Sequence, residues 1–266
     1  MGAFKRHLYR NTNTHHYPKA VQNLLGEMLV ATSLLTATLK FEGTITVQIQ
    51  GDGALKMAVV NGNDRQQLRA LAKVEGEISD DATLHQMIGN GVLVISIIPE
   101  EGERYQGVIG LDKPTISACL EDYFARSEQL QTHLFIRVGE FDGKAVAGGT
   151  LLQIMPDGTG TPEDFEHLST LASTIKEDEL FGLPAEELLH RLFHEETVEV
   201  YPPQATEFKC GCSRERSGTA IMLLPDLEVD AMLAEKDGVI DIQCECCGTQ
   251  FFFDETAIEE LRKART

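Results

Sequence analysis

The chain has 266 residues, 42 of them acidic and 23 basic, which gives a formal net charge of −19. This excess of acid argues against a protein that binds nucleic acid, because such proteins carry a basic stripe or patch. Hydrophobic residues make up 42% of the sequence, which is typical of a globular chain rather than a disordered one. The length suggests one large domain or two unequal ones.

The longest apolar run, residues 28–39, ends at Lys40. A membrane-spanning helix needs about 20 apolar residues, so this run is too short to cross a bilayer. It also lies too far inside the chain, and lacks a small-residue cleavage site, for a signal peptide. We therefore predict a cytoplasmic protein that has no membrane partner.

Residues 17–155 alternate between helical and strand patterns. Apolar spacing predicts a buried helix over 21–35 and a second helix over 114–130. The Asn61-Gly62 pair predicts a hairpin turn. Strands are expected over 44–50, 55–60, 68–74, 92–98, 106–111, 133–138 and 145–154. Because hairpins dominate over repeated βα units, we predict an α+β core domain at 1–160, with an antiparallel sheet plus helices.

Residues 161–204 carry 11 acidic and 2 basic side chains, so their net charge is 2 − 11 = −9. Thr161 and Pro162 predict the start of a helix, because a hydroxyl cap and a proline both suit the first turn. A second helix is expected after Pro184. The apolar stripes are narrow and the charges repel, so these helices must dock on another part of the protein. We assign 161–205 as an acidic helical linker, with a pair of solvated connecting helices as the alternative.

Five of the six cysteines lie between positions 210 and 247. The ligand candidates form two close pairs, Cys210-x-Cys212 and Cys244-x-x-Cys247, and four thiolates in two close pairs suit tetrahedral Zn²⁺. A domain of roughly 60 residues has only marginal stability without a stabilising cross-link such as a bound metal ion. We therefore predict a small zinc domain at 206–266 that binds one Zn²⁺.

The two remaining cysteines have other expected roles. Cys246 lies inside the second pair and is treated as a bystander, while Cys119 lies on the apolar face of a helix and is expected in the core. The cluster itself has two possible functions. It can be a purely structural metal site. It can also be an oxidant sensor, because thiolates are the form that peroxide and hypochlorite attack. The spacing of the cysteines, taken alone, favours the purely structural site.

Several longer segments point to one family. In the sequence of these segments, the chain resembles the bacterial redox-regulated heat-shock chaperonin family (the 33 kDa chaperonin, or HslO family). Residues 1–16 do not match the opening segment of that family. The segments that carry the resemblance are 29–41, QGDG at 50–53, GERYQG at 102–107, CLEDYFARSEQL at 119–130, AGG at 147–149, FKCGCSRER at 208–216 and CECCG at 244–248.

The resemblance implies a stress-response chaperone of the holdase type, not an enzyme, which is inactive while reduced and zinc-bound. Cys210, Cys212, Cys244 and Cys247 are then the zinc ligands. Oxidation is expected to form the disulfides Cys210–Cys212 and Cys244–Cys247, release zinc and unfold the zinc domain and linker. The exposed surface would bind unfolded or oxidatively damaged client proteins. The core domain would bind clients and form a homodimer in the activated state.

Other functions are less well supported by the sequence. A zinc module that binds nucleic acid is disfavoured, because residues 206–266 have 13 acidic and 7 basic side chains. A thiol–disulfide oxidoreductase is disfavoured because Cys244-x-x-Cys247 precedes an apparent strand instead of opening a helix. The Gly51-Asp52-Gly53 turn does not continue into a phosphate-binding motif. His190 and His194 have no evident third ligand. A structural zinc module without redox switching remains open as an alternative.

Overall fold

The structure, a computed structural model, describes residues 3–7, 16–38, 42–154 and 161–265 and divides into two compact units, 1–208 and 209–266. Its mixture of helices and largely antiparallel sheets confirms the predicted α+β class. The first unit comprises β1 (Ala3–His7), α1 (Lys19–Thr38), β2 (Gly43–Gly51), β3 (Leu55–Asn63), β4 (Gln67–Val74), α2 (Leu84–Ile88), β5 (Gly91–Pro99), β6 (Tyr105–Gly110), α3 (Ile116–Tyr123) with a π-helical turn (Phe124–Glu128), β7 (Thr132–Phe141), β8 (Lys144–Gln153), α4 (Pro162–Ser173), α5 (Glu177–Gly182), α6 (Ala185–Phe193) and β9 (Glu207–Phe208).

Helix α1 is at the centre of the first unit and is buried on nearly all sides, as its apolar sequence predicts. It packs against strands of both sheets of this unit. By length and composition α1 could cross a membrane, because the helix extends beyond the apolar run at 28–39. However, 78% of its apolar window is buried inside the protein, which is typical of the core helix of a soluble protein.

The larger sheet has six strands in the order β6-β5-β2-β3-β4-β9, all antiparallel except the β4–β9 pair. The hairpin turn predicted at Asn61-Gly62 is wrong, because both residues lie within β3. A Cβ on Gly62 would come within 2.6 Å of the Leu68 side chain and 3.0 Å of Thr32 on α1. The glycine therefore permits close packing of β3 on α1, while the chain turns after Asn63.

The smaller sheet has three antiparallel strands in the order β1-β8-β7. Strand β1, at residues 3–7, lies in the segment 1–16 that the sequence motifs left outside the family resemblance, and in this strand Ala3 pairs with Leu151. These residues therefore supply an edge strand of the sheet on which the acidic helices pack.

The acidic helices α4, α5 and α6 dock their apolar faces on β7 and β8. Helix α4 begins as predicted, with the Thr161 hydroxyl accepting a hydrogen bond from the Asp164 amide at 3.2 Å. Helix α5 was missed by the sequence analysis because it has only six residues. The docked cluster consists of Val146, Ala172, Ile175, Leu180, Phe181 and Leu188, with Phe135, Phe141, Leu152, Leu183, Leu192 and Phe193 against it.

The second unit has its own small core. It comprises α7 (Arg214–Ile221), α8 (Asp226–Glu235), β10 (Val239–Gln243), β11 (Gln250–Asp254) and α9 (Glu255–Arg265), with β10 and β11 forming an antiparallel hairpin. The buried hydrophobic residues of this core are Ile221, Met222, Val229, Ile240, Phe253 and Ile258. So few buried side chains give a unit of this size little stability of its own.

The docked cluster generates a first prediction. Phe181 is 1% exposed, and its replacement in Phe181→Ala should weaken docking of the acidic helices by about 3–5 kcal/mol, because a large cavity remains. Cleavage within 161–205 under native conditions should then become much faster. In the matched control Tyr201→Ala, where the replaced residue is 65% exposed, the loss should stay below about 0.5 kcal/mol. Equal protease resistance of the two variants would contradict the docking described here.

Candidate metal centre

The second unit contains a cluster of four thiols. The Sγ atoms of Cys210, Cys212, Cys244 and Cys247 all lie within 4.8 Å of one another. The Cys210 and Cys244 sulfurs are 3.6 Å apart, and the Cys212 and Cys247 sulfurs are 3.4 Å apart. With metal–sulfur bonds of about 2.3 Å, the sulfurs of a tetrahedral zinc site lie about 3.8 Å apart. The geometry therefore fits a single tetrahedral metal ion.

The first pair of thiols lies just before helix α7. The Ser213 hydroxyl caps this helix by accepting a hydrogen bond from the Arg216 amide at 3.2 Å. The Arg216 guanidinium in turn donates to the Gly211 carbonyl at 2.8 Å, between the two cysteines. One arginine thus fixes the loop that carries Cys210 and Cys212.

The second pair lies in the turn between β10 and β11. The Cys244 amide donates to the Thr249 carbonyl, and the Gly248 amide donates to the Cys244 carbonyl, each at 2.8 Å. Gly248 has a φ of +73°, in the left-handed region that glycine adopts without strain. Gly248 therefore allows a tight turn directly after Cys247, and this turn brings Cys247 back beside Cys244.

The thiols differ in acidity because of their neighbours. Partial burial raises the pKa of Cys247. Hydrogen bonds from the Thr249 hydroxyl, 3.2 Å from its Sγ, from the Thr249 amide and from the Cys212 and Cys210 thiols together outweigh burial and lower this pKa to about 6. Burial and the neighbouring thiols raise the pKa of Cys212 and of Cys244. A second negative charge among such close sulfurs is unfavourable without a cation. The cluster therefore favours a bound cation over four free thiolates.

The structure brings together all four cysteines that the sequence singled out. Cys246 is outside this set, and Cys119 is buried in the core of the first unit. The rings of His190 and His194 are 6.2 Å apart at the C-terminal end of α6, and among the described residues they join no group that could hold a metal. Sequence analysis missed Thr249, whose contact with Cys247 only the β10–β11 turn creates.

The basic residue Arg214, near the first pair, contacts the hairpin. Its guanidinium lies over the Phe253 ring at 4.4 Å and donates to the Phe252 carbonyl. This cation–π contact links the start of α7 to β11. The loop that carries Cys210 and Cys212 and the turn that carries Cys244 and Cys247 are therefore connected by this packing contact as well as by their neighbouring sulfur atoms.

Comparison with known proteins decides the family. The family model described as "Hsp33 protein" matches residues 5–254, so the match begins within β1, in the segment 1–16 that the sequence motifs left outside the resemblance. The chain belongs to the Hsp33 family. The 33 kDa chaperonin of Actinobacillus pleuropneumoniae serotype 5b is 78% identical over 251 residues, which cover 94% of this chain and 85% of that protein. The 33 kDa chaperonin of Haemophilus influenzae strain PittEE is 70% identical over 253 residues, which cover 95% and 86%.

A solved structure agrees with this membership. The crystal structure of the 33 kDa chaperonin (heat shock protein 33 homolog) of Thermotoga maritima matches with a TM-score of 0.80 at 26% identity, covering 96% of this chain and 89% of that one. The family consists of chaperones, so the chain is a chaperone and not an enzyme, as the sequence predicts. The resemblance stated from the sequence motifs is confirmed.

The geometry of the cluster generates a second prediction. Cys212→Ser should abolish tetrahedral binding of Co²⁺, used as a coloured probe, because one of the four sulfurs is lost. Cys246→Ser is the matched control and should keep the sulfur-to-cobalt absorption of the unmodified protein, because this residue is outside the cluster. Loss of the absorption in both variants, or in neither, would show that the four-thiol assignment is wrong.

Proposed function

We propose that this chaperone is a redox-regulated holdase, kept inactive by a Zn²⁺ ion on Cys210, Cys212, Cys244 and Cys247. The observation that carries the proposal is the grouping of these four Sγ atoms within 4.8 Å, in a unit with a small hydrophobic core. In this proposal the protein acts in the cytoplasm during oxidative stress.

The energetic argument concerns the second unit. Structural zinc contributes on the order of 10–16 kcal/mol to the folding of small domains, while a whole domain is stable by only about 5–15 kcal/mol. Loss of the metal therefore removes more free energy than a domain with six buried hydrophobic residues retains. Residues 209–266 should unfold when zinc leaves.

Oxidation supplies the chemistry that releases the metal. For each pair, two thiols and one hydrogen peroxide give one disulfide and two waters, so two electrons pass from sulfur to the peroxide. The pairing Cys210–Cys212 and Cys244–Cys247 follows from the family resemblance. Pairing within each motif would leave the two motifs unconnected, whereas a Cys210–Cys244 bond would still join them. The proposed pairing therefore leaves no covalent link between the two motifs, so the unit can unfold once the metal has left.

The docked acidic helices are the proposed second part of the switch. Their net charge of −9 opposes compaction, and they depend on the apolar cluster on β7 and β8. Undocking would expose Phe135, Phe141 and Phe181 together, a patch to which unfolded client proteins can bind. We propose that the activated form is a homodimer. In this proposal the net charge of −19 disfavours nucleic acid as a partner, and the burial of α1 in the core disfavours insertion into a membrane.

The alternative of a thiol–disulfide oxidoreductase lacks the expected site. In such enzymes the Cys-x-x-Cys motif opens a helix after a strand, whereas Cys244 and Cys247 lie in a turn between two antiparallel strands. A structural zinc module without switching differs from our proposal only in its response to oxidants, and the following experiment separates the two.

Peroxide treatment at mild heat should activate the reduced, zinc-loaded protein. Free thiols should fall from six to 6 − 4 = 2 per chain, and one equivalent of zinc should be released to a chromophoric chelator. Light scattering from a chemically denatured client should fall in parallel. Cys246→Ser, the matched control, should behave in the same way with one thiol fewer. Zinc release without any gain in client protection would favour the purely structural module.

Metal removal under reducing conditions tests the energetic step alone. A strong chelator should make residues 209–266 sensitive to protease and should broaden their amide NMR resonances, because no disulfide replaces the metal. The core of the first unit around α1 should keep its protection and serves as the internal control. Unchanged protease resistance of residues 209–266 would refute the metal-dependent fold.

A further inference from the structure

The large sheet ends in an unusual strand. Strand β9 has only two residues, Glu207 and Phe208, and pairs parallel with Gln67 and Leu68 of β4. The Glu207 amide donates to the Gln66 carbonyl at 3.0 Å, and the Gln67 side-chain amide donates to the Glu207 carboxylate at 2.7 Å. The last residue of β9 is two positions before Cys210.

The β4 side of this pair is rigid. Gln66 is fully buried, and its side chain accepts from the Ser33 hydroxyl at 2.7 Å and donates to the Ser33 carbonyl on α1. The Gln66 amide bonds to the Asn63 carbonyl at 2.9 Å, and the Asn63 side chain accepts from the Gln67 amide at 2.9 Å. The backbone that receives β9 is thus fixed by the core of the first unit.

The β9 side is weakly held by comparison. Glu207 is exposed, and the Phe208 ring is 43% exposed. The segment before β9 is attached by contacts that include the Gln204 side chain, which donates to the Asp64 carbonyl at 3.0 Å. A two-residue strand with exposed side chains contributes little burial, so it can leave the edge at small cost.

A second contact limits how far another strand could extend. The Tyr17 hydroxyl donates to the Ala72 carbonyl at 2.9 Å and accepts from the Ala72 amide at 3.1 Å, on the same strand β4. This hydroxyl occupies the backbone groups that an added strand would use there. The edge available for pairing is therefore the short end at Gln66–Leu68, where β9 now lies.

We propose that the edge of β4 at Gln66–Leu68 is a strand-binding site for client proteins, which β9 covers in the resting state. This proposal rests on the proposed function, because unfolding of the zinc unit is what would free β9. The occupant is an extended, unfolded segment that offers a backbone N–H to the Gln66 carbonyl, as Glu207 does. Folded proteins rarely present such a free segment, so the site discriminates in favour of unfolded clients. Its short length predicts weak, reversible binding.

The test uses a peptide that copies the natural occupant. A fluorescent peptide with the sequence of residues 202–209 is titrated into the full-length, reduced, zinc-loaded chain. Glu207→Pro removes the donating amide and should open the edge, so the peptide should bind at least about ten-fold more tightly than to the unmodified protein. Ala205→Pro, which keeps that amide, is the matched control and should remain closed. Equal binding to the two variants would refute the masking by β9.

A second peptide tests the backbone bond itself. Methylation of the peptide nitrogen that corresponds to Glu207 should weaken binding about ten-fold or more, because the buried acceptor loses its donor. Undiminished binding of the methylated peptide would refute strand addition. Zinc content and thermal unfolding check that Glu207→Pro is folded. Should it fail these checks, the double variant Glu207→Gly with Phe208→Gly, which keeps both amides but disfavours the strand, replaces it.

Competition identifies the occupant. A permanently unfolded, carboxymethylated protein should displace the peptide from Glu207→Pro and from the oxidised unmodified chain. Failure of the unfolded protein to displace the peptide would overturn the proposal. The proposal would also be wrong if Glu207→Pro were a dimer that the peptide converts to monomer, because a second copy of this chain would then occupy the edge. These measurements on Glu207→Pro use reduced protein, so they are independent of redox activation. Failure of peroxide to activate the unmodified chain would instead refute the proposed function.

Discussion

The grouping of four sulfur atoms from two distant parts of the chain is the constraint on which the second unit depends. Thirty-one residues separate Cys212 from Cys244, and the hydrophobic core between them contains only a few large side chains. A metal bound to the four sulfurs, as proposed above, would close this long loop and neutralise thiolate charges that otherwise repel one another. Because thiolates are oxidisable, the proposed metal site would be stabilising and sensitive to oxidants through the same four atoms.

The acidic helices show a related balance within the first unit. Their charge keeps residues 161–205 well solvated, while Phe181 and Leu188 bury against the small sheet. In the proposed switch the apolar contacts hold this segment in the resting state, and its charge favours release in the activated state. Helices of six to twelve residues cover the apolar cluster and a two-residue strand covers the edge of β4, and in our proposals both sets of elements are released on activation.

The sequence predicted the cysteine cluster because ligand spacing within each pair is a local property. It also predicted α1 and most strands, whose periodic apolar residues match their burial. It failed where tertiary contacts decide the structure. Gly62 follows an asparagine and suggests a turn, but the close approach of α1 requires a glycine within a continuous strand. Strand β9 exists only because β4 provides its partner, and two residues carry no periodicity.

Helices α2 and α5 were missed for a similar reason. With five and six residues, they are shorter than the window over which helical spacing can be recognised. Within the metal site, the sequence identified the sulfurs but not the groups around them. Thr249 contacts Cys247 within the turn, and Arg216 contacts Gly211 within the loop. Residue spacing in the sequence does not predict such contacts.

The separate hydrophobic clusters of the two units have a calorimetric consequence. Each unit buries its own apolar residues, so heating need not melt the molecule in a single cooperative event, and one midpoint temperature would not describe it. The heat absorbed by residues 209–266 should depend on metal concentration through mass action, while that of the α1 core should not. In the proposed switch, oxidation of the sulfurs would therefore melt residues 209–266 and leave the α1 core folded.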